Sequence, residues 1–91
     1  MNVPNLIVIS PDDNVGVVIK ETGIGDTLRD SEGRSIEAST EIPRNHKVAL
    51  VRISKGDRVI KYGEVIGIAT EPIEKGVWIH THNLRSEEGE S

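Results

Sequence analysis

Short apolar runs rich in β-branched residues recur along the chain, and polar turn residues separate them. Runs of this length with flanking Gly, Pro, Asn and Asp are typical of β-strands. No window shows a sustained helical period, although a single helical turn could follow Ile53. The pattern therefore predicts an all-β fold of hairpins and turns. Strands are predicted at residues 6–9, 15–19, 47–53, 58–62, 65–69 and 77–80.

Two related phrases mark the turns between these runs. Residues 53–59 and 73–79 each contain an Ile, two polar residues, a Gly and then an apolar strand, and residues 42–48 form a weaker copy in which Asn45 replaces the Gly. Gly and Asn most easily accept a positive φ, so each copy predicts a tight turn that leads into a strand. The copies are too few and too unequally spaced for a solenoid.

Composition limits this fold to one small domain. The 91 residues include one Trp, one Tyr, no Phe and no Cys, so the core must consist mainly of Val, Ile, Leu and Ala, without disulfide bonds. Residues 85–91 are too polar to bury an apolar face. The expected organisation is a domain at residues 1–84 followed by a flexible polar tail at residues 85–91.

The charge of the chain excludes some classes of partner. A formal net charge of −4 argues against a general nucleic-acid binder, which usually carries a surplus of Lys and Arg. No segment approaches the length of a membrane span, and residues 1–5 lack the basic start of a signal peptide. We expect a cytoplasmic protein that contacts neither nucleic acid nor a membrane.

The segment His80-Thr81-His82-Asn83 is the first candidate site. In an extended strand His80 and His82 would project to the same side, where both could bind one metal ion or ligand. A transition-metal site usually needs a third or fourth ligand, which the sequence does not place. The alternative is that two partly exposed histidines close a strand and fix a turn through hydrogen bonds.

Two further pairs combine a cation with a hydrogen-bonding group. Lys61 and Tyr62 precede Gly63 and could bind a substrate carboxylate, or they could be an exposed lysine beside a tyrosine that caps the core. His46 and Lys47 precede an apolar run and could face either a ligand or water.

Other polar and glycine-rich segments are interpreted structurally. The segment Gly23-Ile24-Gly25 predicts a turn, since it lacks the remaining glycine and the helix of a phosphate loop. The acidic pairs Asp12-Asp13 and Glu87-Glu88 are interpreted as solvated charges, and Trp78 is interpreted as a packing anchor.

Three motifs occur in order at compatible spacing: Ile42-Pro43-x-x-His46-Lys47-Val48-Ala49-Leu50, Gly56-Asp57-x-Val59-Ile60-Lys61-Tyr62-Gly63-x-x-Ile66-Gly67-x-Ala69-Thr70, and Ile73-x-x-Gly76-x-Trp78-x-His80-Thr81-His82-Asn83-Leu84. Together they closely resemble the amino-terminal SAF-type domain of the altronate/galactarate dehydratase family. The resemblance covers about residues 13–84 and implies a small β-clip fold.

The resemblance also implies a function. Members of the family are hydro-lyases that dehydrate a sugar acid, such as altronate or galactarate, to a 2-keto-3-deoxy acid with a divalent metal, iron or manganese. The domain is either fused to a larger catalytic domain or is a separate small subunit, and this chain is similar to the second form. A related branch, sulfolactate sulfo-lyase, also has a small subunit, so the substrate stays open.

The resemblance implies a role for each of the candidate residues. We expect His80 and His82 to reach an active site shared with a large catalytic subunit, as metal ligands or acid–base groups. His46, Lys47, Lys61 and Tyr62 would hold the carboxylate and hydroxyls of the sugar acid. Two alternatives remain: a sugar-acid binding module without chemistry, and a structural domain that forms a homo-oligomer.

Overall fold

The computed structural model describes residues 3–86 and contains only short strands and turns in that range. The strands are β1 (Leu6–Ile7), β2 (Val15–Val18), β3 (Thr27–Arg29), β4 (Ser35–Glu37), β5 (Lys47–Ala49), β6 (Arg58–Lys61), β7 (Glu64–Ala69), β8 (Trp78–Ile79) and β9 (Leu84–Ser86). The predicted small all-β fold is confirmed. The helical turn that was allowed after Ile53 is absent, because a β-turn follows that residue.

The strands form three antiparallel groups. The largest is a four-stranded sheet in the order β1-β2-β5-β8. A second sheet has the order β6-β7-β9, and β3 and β4 form a separate hairpin. Residues 3–86 contain no helix that is long and apolar enough to cross a membrane.

The four-stranded sheet is the middle layer of the fold. Adjacent residues of a strand point to opposite faces, and in β5 Val48 belongs to one core cluster while Ala49 belongs to the other. The first cluster includes Leu28 and Ile36 of the β3–β4 hairpin, and the second includes Val59 and Ala69 of the β6-β7-β9 sheet. Both faces of β5 are thus buried, and the core is aliphatic as predicted.

One type of turn is used four times. In each copy, a residue with positive φ stands three positions after a residue that forms an isolated β-bridge. The two bridges join Thr22 to Ile42 and Ile53 to Ile73. The predicted turns at Asn45, Gly56 and Gly76 are confirmed, with φ of 68°, 89° and 86°. The segment Gly23-Ile24-Gly25 supplies a fourth copy, since Gly25 has a φ of 90°.

Each copy is joined to the rest of the fold by the same pair of backbone hydrogen bonds. The N–H of the positive-φ residue donates to a carbonyl in another segment, as Gly56 does to Ala69 at 2.8 Å. The N–H of that second residue then donates to the carbonyl of the residue after the turn glycine, as Ala69 does to Asp57 at 2.9 Å. This repeated bonding explains why the short phrases in the sequence identify turns so well.

The last strand extends past the predicted end of the domain at residue 84. Arg85 pairs with Ile68 and Ser86 pairs with Gly67, so the first two residues of the predicted tail belong to β9. Edge pairing through the backbone requires no apolar side chain, which is why composition alone placed the boundary earlier. The remaining tail residues, 87–91, lie outside the described residues.

Candidate functional site

Three histidines surround Trp78 where β5 begins and β8 ends. The ring centroid of Trp78 lies 5.6 Å from that of His46, 5.7 Å from that of His80 and 5.0 Å from that of His82. The planes of Trp78 and His80 are nearly parallel, at 11°, and the His46 and His80 centroids are 4.7 Å apart. The structure thus brings three of the predicted site residues into one aromatic cluster.

Trp78 anchors this cluster to the core. It packs against the first core cluster, which confirms the packing interpretation, and its backbone N–H donates to Thr40 Oγ1 at 3.0 Å. Its indole Nε1–H donates to His46 Nδ1 at 3.0 Å. Because Nδ1 is occupied as an acceptor, only Nε2 of His46 is left to contact a ligand.

His80 and His82 do not share a strand face, so this part of the sequence prediction is wrong. Strand β8 ends at Ile79, and the next four residues form a turn closed by the Asn83 N–H, which donates to the His80 carbonyl at 3.1 Å. Both imidazoles nevertheless contact Trp78 because the turn folds back over β8. The alternative prediction, that the pair closes a strand at a turn, describes the backbone better.

Asn83 holds this turn, although the sequence analysis did not select it as a site residue. Its side chain is buried, its Oδ1 accepts the His80 N–H at 3.0 Å, and its Nδ2 donates to the Trp78 carbonyl at 2.9 Å. The Thr70 N–H also donates to the Asn83 carbonyl, at 3.0 Å. An Asn that follows an apolar strand and three polar residues was the available signal.

A cleft beside the cluster contains two lysines. It has a volume of about 340 Å³ and is lined by Lys47, Lys61, Ile66, His80, Thr81, Leu84 and Ser86. The described ion pairs, Arg34–Asp30 and Arg52–Glu74, involve neither lysine, and none of the carboxylates in residues 3–86 lines the cleft. Two ammonium groups with no counter-charge among the described residues make the cleft suitable for an anion.

The electrostatics of the cleft shift two groups in the same direction. Desolvation and the charge of Lys61 lower the pKa of Lys47 below its usual value. Desolvation, together with the charges of His46, Lys47 and His82, lowers the pKa of His80. His80 therefore favours its neutral form, which can accept a proton or ligate a metal.

Tyr62 is connected to the cleft through its neighbour. Its side chain is 44% exposed, so the alternative in which Tyr62 caps the core is wrong. The Lys61 Nζ lies 5.0 Å from the centroid of the Tyr62 ring, in a cation–π contact. Tyr62 is thus available to a ligand that reaches Lys61.

The turn that carries Lys61 and Tyr62 is held by Asp13, which the sequence analysis interpreted as solvated. Asp13 is buried, and its carboxylate accepts the N–H groups of Ile9, Ser10 and Gly63 at 3.2, 3.1 and 2.8 Å. Burial alone would raise the pKa of Asp13, but the backbone hydrogen bonds outweigh this effect and lower it. Asp13 is therefore a structural ion, and nothing in its turn-like sequence context distinguishes it from Asp12.

The described residues contain no group of three or more His, Asp or Glu side chains that could hold a metal ion. His80 and His82 offer imidazole nitrogens, which suit iron or manganese, but these two are an incomplete ligand set. The donor set fits a divalent metal only as part of a site completed by other ligands.

The small all-β fold is consistent with a SAF-type domain. The family model "Altronate/galactarate dehydratase SAF domain" matches residues 4–87, and the chain belongs to this family. The resemblance inferred from the three sequence motifs is thereby confirmed.

The chain is similar to parts of long enzymes and to a short subunit. It is 38% identical to the altronate dehydratase of Bacillus subtilis and 40% identical to the galactarate dehydratase (L-threo-forming) of Escherichia coli, over 90% and 74% of this chain. It spans only 16% and 12% of the lengths of those proteins. It is also 30% identical to the (2R)-sulfolactate sulfo-lyase subunit alpha of Chromohalobacter salexigens, over 90% of this chain and 94% of that protein.

Proposed function

We propose that this chain is the small subunit of a lyase that dehydrates a sugar acid of the altronate or galactarate type to a 2-keto-3-deoxy acid. The relatives of the chain are lyases, and a separate large catalytic chain would supply the rest of the active site. The observation that carries the proposal is the cleft beside the three-histidine cluster, whose two ammonium groups have no ion-pair partner among residues 3–86. An acid substrate supplies the counter-charge that the described residues lack.

Elimination from a hydroxy acid needs three functions. A base removes the proton next to the carboxylate, cationic groups stabilise the enediolate, and an acid or metal assists the departing hydroxide. We assign Lys47 and Lys61 to the carboxylate, while His46 Nε2 and the Tyr62 phenol hydrogen-bond to substrate hydroxyls. His80 suits proton transfer because its lowered pKa keeps a nitrogen lone pair available.

A divalent metal, iron or manganese, would be held mainly by the large chain. His80 and His82 are the residues of this chain that could complete its coordination. When bound, such a metal would act as a Lewis acid on the leaving hydroxyl.

A second candidate is the small subunit of a sulfolactate sulfo-lyase. This second candidate is supported by the alignment, because the chain aligns with nearly the whole of a sulfo-lyase subunit alpha but with only a small fraction of each dehydratase. The cleft suits both substrates, since carboxylate and sulfonate groups are both oxyanions that ammonium groups bind.

The experiment is reconstitution with the large chain and an activity screen over altronate, galactarate and sulfolactate. His80→Gln and His82→Gln should each reduce kcat by about 100-fold or more, which is typical for loss of an acid–base group. Glu71→Gln is the control, because Glu71 is exposed and does not line the cleft. Unchanged turnover and metal content in the double histidine variant would remove both residues from the mechanism.

The same screen separates the competing roles. A binding module without chemistry would bind galactarate but leave turnover of the large chain unaffected by its presence. A structural domain would support full activity after Lys47→Met and Lys61→Met, whereas the proposed cleft requires these variants to raise KM.

A further inference from the structure

The turn between β6 and β7 has an unusual backbone. Lys61 and Glu64 are paired, so the hairpin loop consists of Tyr62 and Gly63. Both have positive φ, 57° and 79°, as in a type I′ turn. A tyrosine rarely adopts this conformation, so contacts from elsewhere in the fold must hold it.

Asp13 supplies the main contact from outside the hairpin. Its Oδ1 accepts the Gly63 N–H at 2.8 Å, across a separation of 50 residues in sequence. Its Oδ2 accepts the N–H groups of Ile9 and Ser10, which fixes the carboxylate in the loop between β1 and β2. One buried carboxylate therefore joins this loop to the turn that carries Lys61.

Asn14 secures the same hairpin on the other side of Lys61. Its Oδ1 accepts the Ile60 N–H at 2.7 Å, and its Nδ2 donates to the Arg58 carbonyl at 2.9 Å. Strand β6 is therefore held at Ile60 and at Gly63, on both sides of the lysine. The backbone of Lys61 is fixed relative to the start of β2.

The start of β2 is in turn fixed relative to Lys47. Val15 pairs with Ala49 of β5, and the Leu50 N–H donates to the Asn14 carbonyl at 2.9 Å. Lys47 lies on β5, whereas Lys61 lies on the other sheet. The separation of the two ammonium groups thus depends on the connection between the sheets that Asp13 and Asn14 make.

We propose that Asp13 is a positioning residue that sets the separation of Lys61 and Lys47, so that both lysines bind one oxyanion group. It acts through the turn and does not line the cleft. This inference rests on the proposed function, because it requires that Lys61 binds the substrate anion.

A double-mutant cycle tests it. The affinities of the full chain for galactarate and for sulfolactate are measured by calorimetry for the unmodified protein, Asp13→Asn, Lys61→Met and the double variant. If Asp13 acts through Lys61, each single variant weakens binding by about tenfold, and the double variant binds no more weakly than Lys61→Met. Asp12→Asn is the matched control, because Asp12 is an exposed neighbour, and it should leave the affinity unchanged.

The outcomes separate the inference from the proposed function. Losses that add in the double variant, or an unchanged affinity in Asp13→Asn, overturn the positioning role. No binding of either acid by the unmodified chain, or unchanged binding in Lys61→Met, overturns the proposed cleft itself and the inference with it.

A second pair of variants keeps the test decisive if Asp13→Asn does not fold. Alanine at Gly63 has room, since the nearest atoms to its methyl group would be Ser10 Cβ and Oγ at 3.6 Å, but the φ of 79° strains the turn. Gly33→Ala introduces the same strain at a φ of 89°, in a turn with open space around it and outside the cleft. Gly63→Ala should weaken galactarate binding while Gly33→Ala should not, and equal binding by the two variants overturns the inference.

Discussion

Replacement of Asn83 by alanine tests whether one buried side chain holds the turn that carries His80 and His82. The variant loses the bond from the His80 N–H at 3.0 Å and the bond to the Trp78 carbonyl at 2.9 Å. It keeps the backbone bonds from the Asn83 N–H to His80 and from Thr70 to Asn83. Each lost bond is worth about 1 kcal/mol, so we expect a destabilisation of about 2 kcal/mol. In a domain of this size, that corresponds to a fall in Tm of about 8–16 °C.

Thermal unfolding by circular dichroism measures the loss, and fluorescence of the single tryptophan reports on the histidine cluster. Thr81→Ala is the control in the same turn, and it should change stability by less than about 0.5 kcal/mol because Thr81 is exposed. Asn83→Asp keeps the shape and the acceptor but places an anionic oxygen against the Trp78 carbonyl, so it should be at least as unstable at neutral pH. A fall in Tm below about 3 °C for Asn83→Ala, with unchanged fluorescence, would refute the reasoning.

Three further predictions concern the same fold. Gly67→Ala should destabilise the domain by about 1–3 kcal/mol in urea unfolding, because the added methyl group would overlap the Arg85 carbonyl and lie 2.7 Å from Leu84 Cδ1. An unchanged unfolding free energy would show that β9 is not packed on β7. Lys47→Met should raise the free energy of unfolding at low salt, because a lowered lysine pKa means that the charged form opposes folding, while galactarate binding falls. The exposed Lys20→Met is its control, and a destabilised Lys47→Met would contradict the shift. The lowered pKa of Asp13 contributes stability that is fully present above about pH 3.8 and is lost as the pH falls through the pKa of Asp13 in the folded state. The difference in unfolding free energy between the unmodified chain and Asp13→Asn should therefore narrow in acid. A difference that stays constant with pH would contradict this.

Sequence reasoning worked best where one residue type determines the local backbone. The turn at Gly56 was predictable because positive φ favours glycine, and the aliphatic core followed from the absence of Phe. Strands β3 and β4 were missed because each has three residues and buries only its central one, Leu28 or Ile36. Strands with one buried residue leave no apolar run in the sequence. They are stabilised by pairing with each other, which the sequence pattern does not show.

The candidate site was predictable in its residues but not in its geometry. The motif contained His80 and His82, but the prediction that they share a face assumed that the strand continues through both residues. In the structure β8 ends at Ile79. The supporting residues Asn83 and Asp13 were missed for a different reason. Their hydrogen bonds reach backbone groups that lie close only after folding, 50 residues away in the case of Asp13 and Gly63.

Comparison of the four repeated turns explains why His46 is free to take part in the site. In two copies the aspartate after the turn glycine caps its own turn: Asp26 Oδ2 accepts the Gly23 N–H at 2.8 Å, and Asp57 Oδ2 accepts the Ser54 N–H at 3.3 Å. His46 occupies the equivalent position in a third copy.

In that copy the residue that would donate the N–H is Pro43, which has none. An aspartate at position 46 would therefore have no such donor, and a side chain there is not needed by the turn. His46 turns instead toward Trp78 and accepts its indole N–H at 3.0 Å. Because of Pro43, position 46 does not need a capping side chain and can carry a residue of the site. The turn keeps its shape because Asn45 provides the positive φ of 68°.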